Sequence, residues 1–368
     1  MTTNNSKKNI IIIFGGKSGE HEVSVKSALS IEKYIDKEKF HTTALGVTHS
    51  GSWNYGQTVA EITDGGKVLN IDASLTLPSS DESKKLSLKA KTEITPIKAD
   101  IVFPIIHGTN GEDGALQGLL EMASLPYVGS NVLGSAVSMD KVIQKQICST
   151  AKIPQTKYRA LSKFSWDQSK ERELDKTKQE LKLPLFIKPA NLGSSVGISK
   201  VKEIAQLETA INEAFMFDNK IILEEGVENI LEIEVSILGN ENPQASVCGS
   251  INPNTEFYDY ETKYLTDDIE AKIPAQIPEE ISDKIRETAL KAYVLLNCSG
   301  LARIDLFYQQ ETDKFYLNEI NTLPGFTSIS MYPKLWEASG LKYADLITEL
   351  IELAEQKFAN KQKLKYSY

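Results

Sequence analysis

The chain has 368 residues, of which 41% are hydrophobic and 25% charged, and its formal net charge is −9. This length favours two or three domains of about 150 residues each, and the composition is that of an ordinary soluble globular protein. The negative charge argues against a nucleic-acid partner, which would favour a basic surface.

The cysteines and the start of the chain indicate a cellular compartment. Cys148, Cys248 and Cys298 lie far apart, in a spacing that predicts neither a metal site nor a disulfide framework. We therefore expect a reducing compartment, the cytoplasm. The apolar run at residues 10–14 is too short for a signal peptide or a membrane span, so we expect no membrane association.

That same apolar run predicts a buried parallel strand, followed by the turn GGKSGE and a helix over residues 22–35. A strand, a glycine turn and a helix open an α/β unit, in which ligands bind at the carboxyl end of the strand. Glu20 and Glu22 fall near the helix start. Acidic residues there complement the helix dipole, and a carboxylate there could instead receive a substrate ammonium group.

Two further strands are predicted at residues 44–47 and 100–106, with a small antiparallel decoration over 56–98 between them. The later strand leads into HGTNGEDG and a helix. His107 in this motif is either part of a simple turn or a group at the switch point of a doubly wound sheet, where ligands bind.

Composition changes near residue 138, where we place a domain boundary. Ser138 is predicted to cap a helix that carries Asp140 and Lys141 in its first turn. A lysine there is unfavourable to the helix dipole, and a bound phosphate is one explanation for it. A strand at 156–161 and a charged helix at 166–181 are expected next.

The strand predicted at residues 185–189 contains Lys188 and leads into the loop ANLGSSVG, before a strand at 198–201. Backbone N–H groups in such a loop can cover a triphosphate, with Lys188 as a point charge. A flexible hairpin turn is the alternative. The loop is not a Walker motif, because that motif precedes a helix.

The next part of the chain contains a stretch at 252–266 that is polar, rich in aromatic residues and too long for a turn. Loops of that kind are typical of functional lids or Ω-loops. Residues 224–227 are interpreted as a linker between two lobes. The regular elements predicted here are a helix at 203–217, strands at 220–224, 233–238 and 244–251, and a helix starting at Pro278.

Residues 301–326 predict two strands joined by a polar turn. Alternation places Arg303 and Asp305 on one face of the first strand, and Glu319 and Asn321 on one face of the second. If the strands pair, two carboxylates and an amide form a ligand set that suits Mg²⁺. A guanidinium beside them suits a transferred phosphate or an oxyanion. A surface hairpin with salt bridges is the alternative.

The chain is predicted to end with a loop to Pro333 and a helix over 343–358. Taken together, its motifs resemble, in order, those of D-alanine–D-alanine ligases of the ATP-grasp superfamily, across residues 10–338. The motifs are GGKSGEHEVS, HGTNGEDGALQG, MDK, FIKPANLGSSVG, LEEGV, YDYETKY, ARID and NEINTLPGFTSIS.

The resemblance implies an α/β (α+β) chain with the ATP-grasp fold in three domains. These would be an N-terminal open parallel α/β sheet, residues 1–137, and two lobes that clasp ATP, residues 138–226 and 227–368. In the family's reaction, ATP phosphorylates the carboxylate of one D-alanine, and the amine of a second attacks the acyl phosphate. The dipeptide product serves peptidoglycan synthesis. Such chemistry needs positioning and charge neutralisation rather than a covalent nucleophile.

The resemblance also implies the ligands and partners. D-alanine, ATP and two Mg²⁺ (or Mn²⁺) ions are expected, with neither nucleic acid nor membrane, and a homodimer through the N-terminal domain. Asp305, Glu319 and Asn321 would hold the two ions, with Glu319 bridging them.

Residue by residue, Glu22 would anchor the ammonium group of the first substrate and His107 would neighbour its carboxylate. Ser330 and the Met331 N–H would bind the second carboxylate. Arg303 and the Gly325 N–H would form the oxyanion hole. The nucleotide would be held by Lys141, Lys188, Ser195, Glu224, Glu225, the backbone of Val227, Glu232 and Lys263.

The lid over the phosphates would include Ser194 and Ser195, with Ser194 hydrogen-bonded to Glu22 and Tyr264. In the family, tyrosine at the position of Tyr264 accompanies the dipeptide product, whereas its replacement accompanies D-lactate as the acceptor.

One departure concerns residues 228–231, which are one residue longer than the family pattern, so either Glu228 or Glu232 could face the ribose.

Two alternative functions are a related ligase that uses D-lactate or D-serine, and a nucleotide-binding regulator that has lost catalysis.

Overall fold

The computed structural model describes residues 7–69, 73–76, 85–90, 93–193, 196–252 and 270–365. Four residues with predicted roles lie outside these ranges, as does most of the loop predicted at 252–266: Ser194, Ser195, Lys263 and Tyr264. The described chain is a mixed α/β structure with several separate sheets, which confirms the predicted fold class. None of its helices is both long and apolar enough to cross a membrane.

The first sheet has the strand order β3-β2-β1-β9, in which β1, β2 and β9 run parallel and β3 is an antiparallel edge strand. Residues 10–14 are fully buried, as expected for a parallel strand that is covered on both faces. The elements in this part are β1 (Lys8–Gly15), α1 (His21–Tyr34), β2 (Phe40–Val47), β3 (Trp53–Gly56) and β9 (Ile101–Pro104).

Short strands decorate this sheet between β3 and β9. They form an antiparallel pair and a three-stranded antiparallel sheet, which confirms the decoration predicted over residues 56–98. The strands are β4 (Thr63–Asp64), β5 (Lys67–Val68), β6 (Ala73–Thr76), β7 (Lys85–Ala90) and β8 (Glu93–Lys98), with a 3₁₀ turn at Ala60–Ile62.

Three helices follow: α2 (Ala115–Met122), α3 (Val132–Met139) and α4 (Lys141–Thr150). The prediction that Ser138 caps a helix is wrong, because Ser138 lies inside α3. Asp140 caps α4 instead, and its Oδ1 accepts hydrogen bonds from the N–H groups of Val142 and Ile143. An aspartate satisfies the orphan donors of a helix start as well as a serine does.

The second sheet is antiparallel, with the order β10-β13-β11-β12. Where one helix was predicted at 166–181 the structure has two, because Ser169 is extended (φ −161°) between them. The elements are β10 (Tyr158–Ser162), α5 (Lys163–Gln168), α6 (Lys170–Glu180), β11 (Leu185–Pro189), β12 (Ser199–Val201), a 3₁₀ turn at Ile204–Gln206, α7 (Leu207–Ala214) and β13 (Lys220–Glu225).

The third sheet has the order β16-β15-β14-β17-β18 and is also antiparallel. The long helix α8 packs its buried face against it, around Ile285, Ala289 and Ala292. The elements are β14 (Ile230–Gly239), β15 (Gln244–Asn252), β16 (Glu270–Lys272), α8 (Glu279–Leu295), β17 (Gly300–Gln309) and β18 (Lys314–Asn321).

Two helices close the chain, α9 (Met331–Ala338) and α10 (Tyr343–Gln362). The loop predicted to extend to Pro333 is wrong, because Pro333 lies in the first turn of α9, where its missing N–H removes no helical hydrogen bond. The apolar face of α10 packs into the core beneath the first sheet, with Ile347 and Leu350 beside Ile10 and Phe103.

Candidate active site

The hairpin of β17 and β18 brings the predicted polar groups together. Arg303 lies opposite Asn321 and Asp305 lies opposite Glu319, which confirms the predicted pairing. Arg303 donates to both carboxylate oxygens of Asp305, from Nε at 2.7 Å and Nη2 at 2.6 Å. Asn321 Nδ2 also donates to Asp305 Oδ2 at 3.0 Å. The hairpin therefore presents one polar face built from both strands.

A buried carboxylate on the neighbouring strand joins this face. Glu234 lies opposite Asp305 in the register of β14 with β17, and its Oε2 is 3.2 Å from Arg303 Nε. The sequence analysis missed Glu234. Its signal was the alternation in LEIEV, which places it two residues after Glu232 on the same face of the strand.

The proposed metal ligands are chemically suited to Mg²⁺ but do not form a closed cage. In the described ranges no group of three or more His, Cys, Asp or Glu side chains is arranged to hold an ion. Mg²⁺ is usually held by one or two carboxylates together with waters and substrate phosphates. Asp305, Glu319 and the Asn321 amide fit that pattern, because they supply hard oxygen atoms on one face.

Two lysines approach this face from the second sheet and from α4. Lys141 Nζ donates to Leu192 O at 2.6 Å and lies 3.9 Å from Glu319 Oε2. Lys188 Nζ lies 2.7 Å from Glu224 Oε2. Burial lowers the pKa of the Lys188 ammonium, but the charge and hydrogen bond of Glu224 outweigh burial and raise it. Lys188 is therefore a fixed positive charge.

An open cleft lies between these groups and the first sheet. Its polar lining comes from the loops next to the first sheet, from α4, from the loop after β11 and from β18. The side chains include Glu20, Glu112, Lys141, Gln144, Glu319 and Asn321, and the backbone includes Gly108 and Gly193.

Glu20 lines this cleft and Glu22 does not, so the structure places Glu22, predicted to bind the ammonium group, away from the other site residues. Glu20 is 8% exposed and lines the cleft. Glu22 is one residue beyond His21 on α1, and its half-exposed carboxylate turns away to His49 Nε2, at 3.3 Å. A helix rotates by about 100° per residue, so two residues two positions apart face nearly opposite directions.

The loop after β9 is tied to the end of β18 through the peptide unit of Leu323. Glu112 Oε2 accepts from Leu323 N at 3.0 Å, and His107 Nδ1 donates to Leu323 O at 2.8 Å. His107 Nε2 then accepts from Ser27 Oγ at 3.1 Å, and Ser27 Oγ accepts from Phe326 N at 3.1 Å. This network fixes the backbone on both sides of Gly325.

Burial sets the charge states in this network. Burial lowers the pKa of His107, so the ring is neutral near pH 7, with its proton on Nδ1. Burial and the nearby Glu20 carboxylate raise the pKa of Glu112 to about 8, although N–H groups of Gly108 and Leu323 lower it. Gly108 has φ +71°, a left-handed conformation that favours glycine, and a Cβ there would lie 2.8 Å from Glu20 Oε2, so a side chain at this position would push that carboxylate aside.

The residues predicted for the second carboxylate lie at the start of α9. Ser330 precedes the helix, and its Oγ accepts from Thr327 N at 3.0 Å. Met331 is the first helical residue, so its N–H belongs to a helix N-terminus, which favours anions. Gly325 lies beside them, because a Cβ there would be 3.1 Å from Ser330 Oγ.

The residues predicted for the base and ribose lie at the end of β13, in the connection after it and in β14. Glu224 and Glu225 belong to β13, so the linker predicted at 224–227 begins only after Glu225. Glu224 is buried with both oxygens engaged, Glu225 Oε1 accepts from Lys182 N at 2.9 Å, and Val227 follows β13. Of the two candidates for the ribose, Glu228 is exposed in the linker. Glu232 lies close enough to Lys188 for its charge to help raise the pKa of that lysine. The geometry therefore favours Glu232.

A third lysine belongs to the same region and was missed by sequence analysis. Lys145 Nζ lies 2.7 Å from Glu224 Oε1 and is 1% exposed. The sequence feature that could have identified Lys145 is its spacing of four residues from Lys141, which places both lysines on one face of a single helix.

Two family models match the chain, and they confirm the resemblance drawn from its motifs. "D-ala D-ala ligase N-terminus" matches residues 9–130, and "D-ala D-ala ligase C-terminus" matches residues 147–352. A D-alanine–D-alanine ligase of Caldicellulosiruptor bescii is 43% identical over 98% of this chain and 99% of its own length. A D-alanine–D-alanine ligase of Shouchella clausii is 45% identical over 98% of both chains.

Solved structures agree with these relatives. The D-alanine–D-alanine ligase of Coxiella burnetii has a TM-score of 0.81 at 35% identity, covering 97% of this chain and 96% of its own. The VanG D-Ala:D-Ser ligase of Enterococcus faecalis has a TM-score of 0.82 at 35% identity, covering 95% of this chain and 100% of its own.

Proposed function

This chain belongs to the D-alanine–D-alanine ligase family, and we propose that it joins two D-alanine molecules with ATP as the phosphoryl donor, releasing ADP and phosphate. The fold is the ATP-grasp fold of its structural neighbours. The dipeptide serves peptidoglycan synthesis. The observation that carries the proposal is the cleft at which acidic groups beside the first sheet, basic and amide groups of α4, and acidic and amide groups of β18 converge.

Glu20 is our assignment for the anchor of the first D-alanine ammonium group, in place of Glu22. Its carboxylate is nearly buried and faces the cleft, where water competes little for the ammonium group. His107 and Glu112 support this subsite by fixing the backbone around Leu323. Ser330 and the Met331 N–H at the start of α9 would receive the carboxylate of the second D-alanine.

ATP would lie between the second and third sheets, with its phosphates toward Lys141 and Lys188. Glu224, Glu225 and Val227 lie at the edge that would face the base, and Glu232 would meet the ribose. Asp305, Glu319 and Asn321 would hold two Mg²⁺ or Mn²⁺ ions, whose role when bound is to neutralise phosphate charge. Ser194, Ser195, Lys263 and Tyr264 are assigned to the lid by resemblance alone.

Arg303 and the Gly325 N–H would stabilise the negative charge that develops when the second amine attacks the acyl phosphate. Their value lies in being fixed before the reaction, because prearranged donors need no reorganisation in the transition state. Glu234 holds the guanidinium from one side, and Phe326 N–H, next to Gly325, is held by Ser27.

We further propose three domains, residues 1–137, 138–226 and 227–368, and a cytoplasmic homodimer formed through the first of them. The three cysteines are free and buried, which is compatible with a reducing compartment. Size-exclusion chromatography with light scattering would test the dimer, and a monomer at micromolar concentration would refute it.

The assignment is tested by phosphate release from Mg–ATP with D-alanine, L-alanine or no amino acid, for the wild type and Glu319→Ala. Release that depends on D-alanine and is lost in the variant is the expected result. ATP binding without release for any alanine would refute the ligase assignment and favour a regulatory role.

The acceptor is tested by chromatography of the products formed from D-alanine with added D-serine or D-lactate. We expect D-alanyl-D-alanine to dominate near neutral pH. The fold does not separate these acceptors, because one structural neighbour is a D-Ala:D-Ser ligase. A dominant mixed product would support the related ligase instead.

A further inference from the structure

Three charged side chains, Lys145, Glu224 and Lys188, form a buried cluster between α4 and the second sheet. They are 1%, 4% and 9% exposed. Lys145 Nζ lies 2.7 Å from Glu224 Oε1, and Lys188 Nζ lies 2.7 Å from Glu224 Oε2. One carboxylate is therefore shared by two ammonium groups, one on each oxygen.

The ammonium group of Lys145 is bound by other groups of the protein. It donates to Thr156 Oγ1 at 3.2 Å, and that hydroxyl donates in turn to Glu224 Oε1 at 2.8 Å. The ring of Tyr158 lies 5.4 Å away on another side. Lys141, one turn earlier on α4, lines the cleft, whereas Lys145 does not. Lys145 can therefore affect a ligand only through its neighbours.

The charges of the cluster explain why two lysines are needed. A lone pair of Lys188 and Glu224 is neutral and offers an anion little net attraction. Burial raises the pKa of Glu224, but Lys188 and Lys145 outweigh burial and hold it well below its usual range, so it is ionised. Two ammonium groups and one carboxylate leave one positive charge, in surroundings where charges are weakly screened.

We propose that Lys145 is a positioning residue for the nucleotide: it neutralises and fixes Glu224, so that the charge of Lys188 remains available to the phosphates. The inference deepens the proposed function and rests on its assignment of Lys188 to ATP. A buried carboxylate with one lysine would otherwise hold that lysine as its own partner.

The test compares binding of ATP and of adenosine, which has no phosphates, by calorimetry on the full chain. In Lys145→Met the cluster becomes neutral, and we expect the Kd for ATP to rise about tenfold. The Kd for adenosine should rise by clearly less than the Kd for ATP, because adenosine would meet Glu224 but carries no phosphate to feel the lost charge. Lys157→Met, which removes an exposed lysine from the same region, is the matched control and should change neither.

The double variant Lys145→Met/Glu224→Gln restores one net positive charge. Its ratio of ATP affinity to adenosine affinity should return to within about threefold of the wild type, even if the base contact of Glu224 is lost. If Lys145→Met does not fold, Lys145→Gln takes its place in the comparison, because it also removes the charge and leaves the Lys188–Glu224 pair intact while keeping a polar side chain beside Thr156. Equal weakening of ATP and adenosine in Lys145→Met, or an unrestored ratio in the double variant, would overturn the proposal.

Failure of this proposal and failure of the ligase assignment are distinguishable. The ligase assignment fails if the wild type binds ATP but releases no phosphate with D-alanine. The role of Lys145 is measured by binding alone and stands or falls on the affinity ratio in either case.

Discussion

The guanidinium group of Arg303 holds both carboxylate oxygens of Asp305, through Nε at 2.7 Å and Nη2 at 2.6 Å. The two residues have opposite proposed tasks, since one would bind a cation and the other an anion. In the structure each neutralises the other. If Asp305 held a cation, the donors of Arg303 would become available to an anion, and Glu234 at 3.2 Å would keep the guanidinium in place.

Arg303→Lys should lower kcat for phosphate release by about 10²–10³-fold, because one point charge replaces a planar pair of donors. The Kd for ATP should change little, since the charge that Arg303 meets develops only during reaction. Arg286→Lys on α8 is the control, because Arg286 does not line the cleft and contacts the backbone of Ala245 and Ser246. Steady-state kinetics at saturating D-alanine would measure the effect, and a loss below about tenfold in Arg303→Lys would contradict it.

Glu20→Gln should raise the KM for D-alanine at the first site by roughly 10–100-fold, because a charge-assisted hydrogen bond to an ammonium group is lost. Glu22→Gln is its matched control and should change KM by less than about threefold, since Glu22 pairs with His49 outside the cleft. Initial rates measured against D-alanine concentration would give the KM of each variant. A larger rise in KM for Glu22→Gln than for Glu20→Gln would support Glu22 as the residue that binds the ammonium group, as predicted from the sequence.

Glu112 should make stability fall as pH rises toward 8. Its pKa is raised to about 8 from the usual 4.5, so between these values the folded state holds a proton that the unfolded state has lost. Over that window the contribution changes by about 1.4 kcal/mol per pH unit. Urea unfolding of the wild type and Glu112→Gln from pH 5 to 9 should show a flatter dependence in the variant. Glu228→Gln, an exposed control, should keep the wild-type dependence.

The native protein should resist alkylation by iodoacetamide at pH 7.5 and retain its activity. Burial raises the pKa of the thiols of Cys148 and Cys298 to about 11, and burial also raises that of Cys248. Few thiolates are then present to react. Mass spectrometry should find labelling only after unfolding in urea. Rapid labelling of the native chain with loss of activity would show that a cysteine contributes to catalysis.

Strand pairing in the hairpin was predictable because alternation in ARID and NEIN fixes which residues share a face. The first sheet was predictable for a similar reason, since continuous apolar runs indicate parallel strands. The first residues of the helices were less predictable. Ser138 and Asp140 are both good caps, and only the packing of α3 and α4 selects Asp140.

The choice between Glu20 and Glu22 depends on how α1 packs, which the sequence does not give. Glu20 precedes the first helical residue and lines the cleft, whereas Glu22 lies in the first turn of the helix and pairs with His49. Glu234 and Lys145 were missed because each acts through a partner distant in sequence, Arg303 and Glu224 respectively. Local patterns place Glu234 and Lys145 on one face of their strand or helix, but they do not identify these partners.

The packing of α10 has a consequence for how the chain is made. Its aliphatic residues Leu346, Ile347, Leu350, Ile351 and Ala354 complete the core beneath β1 and β9, although they are synthesised long after those strands. During translation the first sheet therefore emerges with that apolar face uncovered. Each aliphatic side chain buried there adds on the order of 1.5–3 kcal/mol, so a fragment that stops before α10 should aggregate or need a chaperone.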